Sequence, residues 1–353
     1  MPSANSYLPR EAIRPAIDAP QFKQELTLLI NNHLNSPAII MWVLFNESQG
    51  QHDTEELVKY IRELDPSRLV NEASGDKNFG VGDVIDRHSY PEPSMPESKT
   101  QARVVGEFGG IGYNVKDHMW GQKGSGYTAV VTPQDLIFLY ADHINMIKNF
   151  KEQEGLSASI YTQLTDVETE NNGLMTYDRI AKTNIGDIKL INTFSYPQPI
   201  LRPIISNSEK EAQTWKYTTV KPEHSWVETS FIDATWADGK AGFGKVATYG
   251  NTKWETSDIW MRKTFETSNL TEVEINSICL RGLFDGAVDV SINGVRAYQE
   301  NHSKNNYTNR SITQEARNAI KPNGKNVIAI HVAARKGHQY IDAGLYVRTS
   351  AVK

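Results

Sequence analysis

Two hydrophobic patterns alternate along the first 180 residues. Apolar residues recur at helical spacing in residues 21–34 and 53–64, which predicts two amphipathic helices. Residues 38–45 form instead an unbroken apolar run, which is typical of a strand buried on both faces. Residues 132–133, Thr-Pro, are suited to the start of a long helix, and Gly155 is suited to its end.

Strand, helix and strand follow one another at a spacing that predicts a parallel α/β fold for residues 1–180. Five strands are predicted in this half of the chain. They end near Phe45, Asn71, Arg87, Gly106 and Gln163.

The pattern changes from about residue 215, where strands become short and turns frequent. The predicted strands are 259–265, 273–280, 287–292 and 326–332. Asn293-Gly294 is a hairpin signal between two of them. Residues 215–353 are therefore predicted to form an antiparallel β-sandwich. Three prolines in residues 181–214 predict an ordered, extended connector between the two halves.

Composition narrows the classes of function. The chain has 353 residues, with 37 basic and 42 acidic side chains and a net charge of −5. It has no basic stripe of the kind that binds nucleic acid, and its longest apolar run is too short to cross a membrane. One cysteine excludes an internal disulfide framework, and the nine histidines show no metal-binding spacing. We predict neither a metal nor a cofactor.

Two glutamates follow buried strands and carry the candidate chemistry. Glu47 comes directly after the apolar run that ends at Phe45, and Glu107 comes directly after the run that ends at Gly106. In a closed β/α barrel the carboxyl ends of the strands form the active-site face. Two carboxyl groups meeting there suit glycoside hydrolysis, with one as the acid and the other as the nucleophile.

Four segments resemble motifs of glycoside hydrolase family 2, the family of β-galactosidases, β-glucuronidases and β-mannosidases. They are residues 42–50 (WVLFNESQG), 88–91 (HSYP), 106–110 (GEFGG) and 161–168 (YTQLTDVE). The resemblance implies a retaining mechanism with Glu47 as acid/base and Glu107 as nucleophile. It also implies that Asn46 binds the sugar 2-hydroxyl and that Tyr90 donates a hydrogen bond to Glu107.

The remaining site candidates are polar or aromatic groups near these motifs, each with a structural alternative. We predict substrate contacts for His88, Trp120, Gln163, Asp166 and Glu168. In the second half, residues 258–265 and 290–295 resemble the jelly-roll, galactose-binding-like domains that accompany family 2 enzymes. Five tryptophans lie there, and they either stack on sugar or fill the core.

The resemblance implies an incomplete (β/α)8 TIM barrel, about strands four to eight, in residues 1–180. The beginning of the chain then corresponds to the segment after strand three, so the sequence resembles the carboxyl-terminal portion of a longer protein. We therefore expect little or no hydrolysis by the chain alone, and either a missing amino-terminal half or a homo-oligomer as its partner. The compartment stays open, with a periplasmic or secreted parent as one option.

Two alternatives to a β-galactosidase-like enzyme remain from the sequence. One is a non-catalytic carbohydrate-binding or structural fragment. The other is a related specificity, for β-glucuronides or β-mannosides. Binding a glucuronide requires cationic contacts to its carboxylate, and the motifs contain no evident cationic clamp.

Overall fold

The computed structural model describes residues 11–12, 18–47, 50–75, 77–244, 251–301, 306–335 and 339–349. These residues form two compact units. The first unit lies within residues 1–128 and 140–181, and the second within 129–139 and 182–353. The predicted amino-terminal loop, and positions 48 and 49 of the Glu47 motif, lie outside the described residues.

The helices and strands are numbered in chain order. The α-helices are α1 Asp18–His33, α2 Thr54–Leu64, α3 Pro133–Asn149, α4 Ile185–Asn192, α5 Glu272–Asn276 and α6 Gln314–Ala319. The strands up to residue 181 are β1 Met41–Val43, β2 Leu69–Asn71, β3 Val84–Ser89, β4 Ala102–Gly109, β5 Ile111–Gly112, β6 Thr128–Ala129 and β7 Ala158–Thr162. The later strands are β8 Ile200–Ile205, β9 Thr214–Thr218, β10 Ala237–Lys240, β11 Phe243–Gly244, β12 Thr252–Lys253, β13 Asp258–Thr267, β14 Ile278–Asp285, β15 Ala287–Ile292, β16 Val295–Glu300, β17 Thr308–Ser311, β18 Gly324–Ala333 and β19 Tyr340–Thr349.

The first unit contains the five predicted strands, and they are parallel where they pair. Strands β1 and β2 form one parallel pair, and β3, β4 and β7 form a second parallel sheet. Strand β3 also lies beside β2. Parallel pairing brings the carboxyl ends of neighbouring strands to the same edge. The candidate glutamates lie at such ends, Glu47 after β1 and Glu107 near the end of β4.

The strand predicted from residues 38–45 is shorter and less buried than the sequence indicates. Strand β1 covers three residues, of which Trp42 is buried, whereas Val43 and the preceding Ile40 are exposed. Trp42 packs in the core with Ile61 of α2 and Val70 of β2, and its indole donates to Asp65 Oδ2 at 2.8 Å. The prediction of burial on both faces is wrong here, because Trp42 faces the core on one side of β1 whereas Val43 is exposed on the other.

The predicted ends of the long helix are confirmed. Thr132 Oγ1 accepts a hydrogen bond from the Asp135 backbone N–H at 3.0 Å, as an N-cap side chain does. The α-helical part ends at Asn149 and continues as one π-helical turn, Phe150–Glu154. Gly155 then leaves the helix with a left-handed φ of 74°.

The second unit is a sandwich of two mainly antiparallel sheets with one shared apolar core. Its first sheet has the order β10-β9-β13-β18-β15-β16, and its second has the order β12-β11-β19-β14-β17 with β8 also on β19. The core takes Met261 and Ile330 from the first sheet and Phe284 and Leu345 from the second. The antiparallel β prediction is confirmed at this level. The finer jelly-roll assignment stays a prediction.

Two predictions for residues 181–353 are wrong. Residues 273–280 are not one strand, because Thr271 and Glu274 form a reciprocal capping box that starts helix α5, and β14 begins only at Ile278. Residues 181–214 are not an extended connector throughout, since they contain α4 and also β8, which pairs with β19. The Asn293-Gly294 hairpin is present between β15 and β16, with both residues at positive φ.

Most tryptophans of the second half fill the core. Trp215, Trp236, Trp254 and Trp260 are buried, so their faces are not available for stacking on a sugar. Trp226 is half-buried and stacks on Trp236 with ring centroids 6.2 Å apart. The core-packing alternative therefore applies to the four buried rings.

Within the part of the chain that the structure describes, the helices do not combine the length and apolarity needed to span a bilayer.

Candidate active site

Glu47 and Glu107 are positioned by backbone pairing at the carboxyl ends of the parallel strands. The segment after β1 pairs with Ser74, whose N–H donates to Phe45 O at 2.8 Å and whose carbonyl accepts from Glu47 N at 2.7 Å. Glu47 itself has a left-handed φ of 51°. Glu107 lies in β4, opposite His88 of β3 in the strand register.

The two carboxyl groups face one another across a single site, as predicted. One oxygen of each glutamate and one ring nitrogen of His88 all lie within 4.8 Å of one another. His88 Nδ1 is 3.1 Å from Glu47 Oε1 and 3.4 Å from Glu107 Oε2. The His88 side chain is only 6% exposed, so its ring is held between the two carboxylates.

Tyr90 donates its hydroxyl hydrogen to Glu107 Oε2, which confirms the predicted contact. Burial, together with the hydrogen bond to Glu107 and its negative charge, raises the pKa of the Tyr90 phenol well above its usual range. The phenol therefore keeps its hydrogen at ordinary pH. Glu107 consequently has one oxygen held by a neutral donor.

Tyr127 is a site residue that the sequence did not identify. Its ring lies parallel to that of Tyr90, with centroids 3.9 Å apart, and the residue is 60% exposed. Partial desolvation of its hydroxyl, followed by the charges of Glu47 and other nearby carboxylates, raises the pKa of the Tyr127 phenol. Gly110 makes room for this ring: its φ is 59°, and a β carbon there would lie 2.4 Å from Tyr127 Cδ2. The available signal was an aromatic residue in the Gly-rich loop between β5 and β6.

Asn46 and Gln163 lie at strand ends of the same unit. Asn46 is exposed beside Glu47 and forms an isolated parallel bridge with Ser74. The Gln163 amide donates to Asn172 Oδ1 at 2.7 Å and to Glu170 Oε2 at 3.4 Å. Glu170, whose charge also acts on the Tyr127 phenol, is a second group that the sequence did not identify.

The other three candidates make contacts within loops. Asp166 is buried and its Oδ1 accepts from Gly173 N at 2.8 Å, so that oxygen holds the loop backbone. Glu168 is exposed at a turn with φ 52°. Trp120 is exposed and meets the Tyr177 ring edge to face, with centroids 5.5 Å apart. The contacts described here for these three side chains are with loop residues and not with the glutamate pair.

One group among the described residues has the spacing to share a metal ion, and it is the same Glu47, His88 and Glu107. These atoms are already hydrogen-bonded to each other and to Tyr90. Two carboxyl groups this close can perform proton transfer and nucleophilic attack without a metal, and we assign no step to one.

Comparison with known proteins finds relatives for the part of the chain that contains Glu47, His88 and Tyr90. A family model described as glycosyl hydrolases family 2, TIM barrel domain, matches residues 13–103. The match includes Glu47, His88 and Tyr90 and ends shortly before Glu107. Two curated β-galactosidases of Klebsiella pneumoniae, one of them from strain 342, are each 35% identical to the chain over 84 residues. That region is 22% of this chain and 8% of either relative, so the chain spans a small part of their length.

Solved structures show weaker likenesses. A β-glucuronidase of an uncultured Clostridium sp. is 14% identical, over 42% of this chain and 30% of that one, with a TM-score of 0.30. A β-glycosidase from Bacteroides vulgatus is 15% identical, over 43% of this chain and 20% of that one, with a TM-score of 0.29. The assignment therefore rests on the sequence matches, in which residues 13–103 are similar to the TIM barrel domain of glycosyl hydrolases family 2 and an 84-residue region is homologous to β-galactosidases.

Proposed function

We propose that this protein hydrolyses terminal β-glycosidic bonds by a retaining, double-displacement mechanism, with Glu107 as nucleophile and Glu47 as acid/base. The observation that supports it most directly is the pair of facing carboxyl groups, with oxygens within 4.8 Å of one another. A retaining pair lies about 5–5.5 Å apart, whereas an inverting pair needs about 6.5–9.5 Å to admit a water.

The first displacement forms a covalent glycosyl-enzyme. Glu107 attacks the anomeric carbon while Glu47 gives its proton to the departing glycosidic oxygen, so the C–O bond to the leaving group breaks as the bond to Glu107 forms. In the second displacement, Glu47 takes a proton from water, whose oxygen attacks the same carbon and releases Glu107. Two inversions at one carbon leave the β configuration unchanged.

The hydrogen bonds of the site distinguish the two oxygens of Glu107. Tyr90 and His88 both approach Oε2. The other oxygen, Oε1, is then the one that attacks the sugar. A fixed carboxylate needs little reorganisation during the reaction, and this lowers the activation free energy.

The substrate class in this proposal is a carbohydrate, and the galactoside preference comes from the curated relatives, which are named β-galactosidases. Asn46 is proposed to bind the sugar 2-hydroxyl. The exposed face of the Tyr127 ring is proposed as an aromatic platform for the sugar, because aromatic faces pack well on the C–H faces of sugar rings. Gln163 is the remaining polar candidate with a place at a strand end.

For the second unit we propose a supporting role, with the jelly-roll topology that the motif resemblance implies. The burial of its tryptophans favours packing over sugar stacking, and half-buried Trp226 is the ring left to test. We also propose that residues 1–180 and residues 215–353 form two separate functional domains.

The proposal is tested with nitrophenyl β-glycosides and the full chain. Because the sequence predicts little or no hydrolysis by the chain alone, the protein is used in excess over substrate and the first product is followed by ¹H NMR. We expect release of sugar from the galactoside in the β configuration before mutarotation. Faster release from the glucuronide or the mannoside would instead indicate specificity for that sugar. An α product would contradict retention, and equal release by a Glu47→Gln variant would favour the non-catalytic alternative.

Replacing Tyr90 with phenylalanine removes the hydroxyl that donates to Glu107. A hydrogen bond to a charged group contributes about 1.5–3 kcal/mol, so kcat/KM should fall by about 10–100-fold. The matched control is Tyr60→Phe in α2, which removes a hydroxyl that contacts Thr27 of α1 at 2.6 Å. Equal kcat/KM for both variants, measured on the same aryl glycoside, would show that the Tyr90 contact does not serve the reaction.

A further inference from the structure

The buried side of His88 is connected to a second carboxylate behind the site. His88 Nε2 lies 2.8 Å from Ser74 Oγ, and Ser74 Oγ donates to Asp86 Oδ2 at 2.7 Å. His88 Nδ1, on the other side of the ring, faces Glu47 and Glu107. A continuous series of hydrogen bonds therefore runs from Asp86 to the glutamate pair.

The direction of these hydrogen bonds follows from the partners of Asp86. This buried side chain accepts from Gly106 N on Oδ1 at 2.7 Å and from Asn71 Nδ2 on Oδ2 at 2.8 Å. Three donors converge on it, as on a carboxylate, and Ser74 is the third. Because the single hydroxyl hydrogen of Ser74 points to Asp86, Ser74 can offer only a lone pair to His88. The ring nitrogen that meets it must carry the hydrogen.

We propose that Asp86 and Ser74 are positioning residues that hold a hydrogen on His88 Nε2 and so present Nδ1 to the catalytic glutamates. The inference rests on the proposed function for the roles of Glu47 and Glu107. Neither Asp86 nor Ser74 touches the substrate in this scheme, and each acts through His88.

The consequence concerns the oxygens of Glu47. The 3.1 Å contact between His88 Nδ1 and Glu47 Oε1 contains one hydrogen, on the carboxyl group or on the ring, because two bare lone pairs would repel each other. In both cases Oε1 is engaged. With that hydrogen on the ring, Oε2 holds the proton that Glu47 gives to the leaving group and later takes from water.

The backbone leaves space for the ring in this orientation. Gly75 has a φ of 99°, and a β carbon on it would lie 2.6 Å from the His88 ring atoms Cγ and Nδ1. Ser74, which directly precedes it, pairs through its backbone with both Phe45 and Glu47. The residue that orients His88 is thus also the residue that fixes the Glu47 backbone.

The test measures which ring nitrogen of His88 carries hydrogen. The full chain is labelled with ¹⁵N-histidine and studied by long-range ¹H–¹⁵N correlation, and the His88 signal is assigned by its loss in a His88→Gln variant. We expect the nitrogen shifts of a ring that is protonated at Nε2. Ser74→Ala should move these shifts toward the Nδ1–H tautomer, and the control Ser89→Ala, whose hydroxyl donates to Glu92 O, should not.

Asp86→Asn is the second variant and does not depend on Ser74→Ala folding. An amide donor in place of Oδ2 reverses the series, since Ser74 then accepts from position 86 and donates to His88 Nε2. We expect the Nδ1–H tautomer in this variant. A bare Nε2 in the unchanged chain would overturn the proposal, as would an unchanged His88 spectrum in folded Ser74→Ala or Asp86→Asn. The tautomer is read without turnover, so an inactive chain would count against the proposed function and not against this arrangement.

Discussion

A Glu107→Gln variant should not be labelled by an activated 2-deoxy-2-fluoro-β-galactoside, whereas the unchanged chain gains one sugar mass on Glu107. The fluorine slows both displacements, and the activated leaving group restores the first, so the covalent intermediate accumulates. An amide is a poor nucleophile, and losing the nucleophile should also slow hydrolysis of aryl β-galactosides by about 10³-fold or more.

Intact-mass spectrometry followed by peptide mapping measures the labelling. The control is Glu97→Gln, which neutralises an exposed carboxyl group of the same unit and should label as the unchanged chain does. An adduct on another carboxyl group would identify a different nucleophile. Equal labelling of Glu107→Gln and Glu97→Gln would contradict the retaining mechanism.

Asp135→Ala should lower the free energy of unfolding of the second unit by about 3–5 kcal/mol. Arg317 is fully buried and donates to both oxygens of Asp135, with Nη1–Oδ2 at 2.9 Å and Nη2–Oδ1 at 2.8 Å. Removing the carboxylate leaves the guanidinium buried without its counter-charge. The loss is large because the cost of desolvating the cation is then no longer offset.

Urea unfolding followed by tryptophan fluorescence measures this loss, since five of the seven tryptophans lie in the second unit. Asp238→Ala is the control. It removes an exposed partner of Lys216, at 2.9 Å, and such surface pairs contribute about 0–1 kcal/mol. Similar losses for the two variants would show that the buried pair does not stabilise the unit beyond a surface contact.

The sequence located the glutamate pair because each residue follows an apolar run that predicts a strand, although β4 extends beyond Glu107 to Gly109. The apolar run before Glu47 and the run before Glu107 predicted parallel strands, and parallel strands present their carboxyl ends at one edge. The contact of Tyr90 with Glu107 followed from the motif resemblance, and the structure contains it.

The sequence failed where local capping or distant packing decided the outcome. Thr271 and Glu274 form a capping box that starts a helical turn inside the strand predicted for residues 273–280. Tyr127 lies 37 residues from Tyr90 in the sequence, so nothing local predicted that the two rings stack. Asp166 shares its motif with Gln163, yet burial against the loop backbone engages one of its oxygens.

By itself, the sequence determined the parallel strands of the first unit, the antiparallel sheets of the second and the two glutamates with Tyr90. These features depend on periodicity, turn residues and motifs, which act over a few neighbouring positions. The tertiary structure alone decided that His88 lies between the glutamates, that Asp86 and Ser74 stand behind it, and that Arg317 meets Asp135. Those contacts join residues distant in the chain, and their partners are selected by the geometry of the packed strands and by the need to satisfy buried polar groups, which no local pattern encodes.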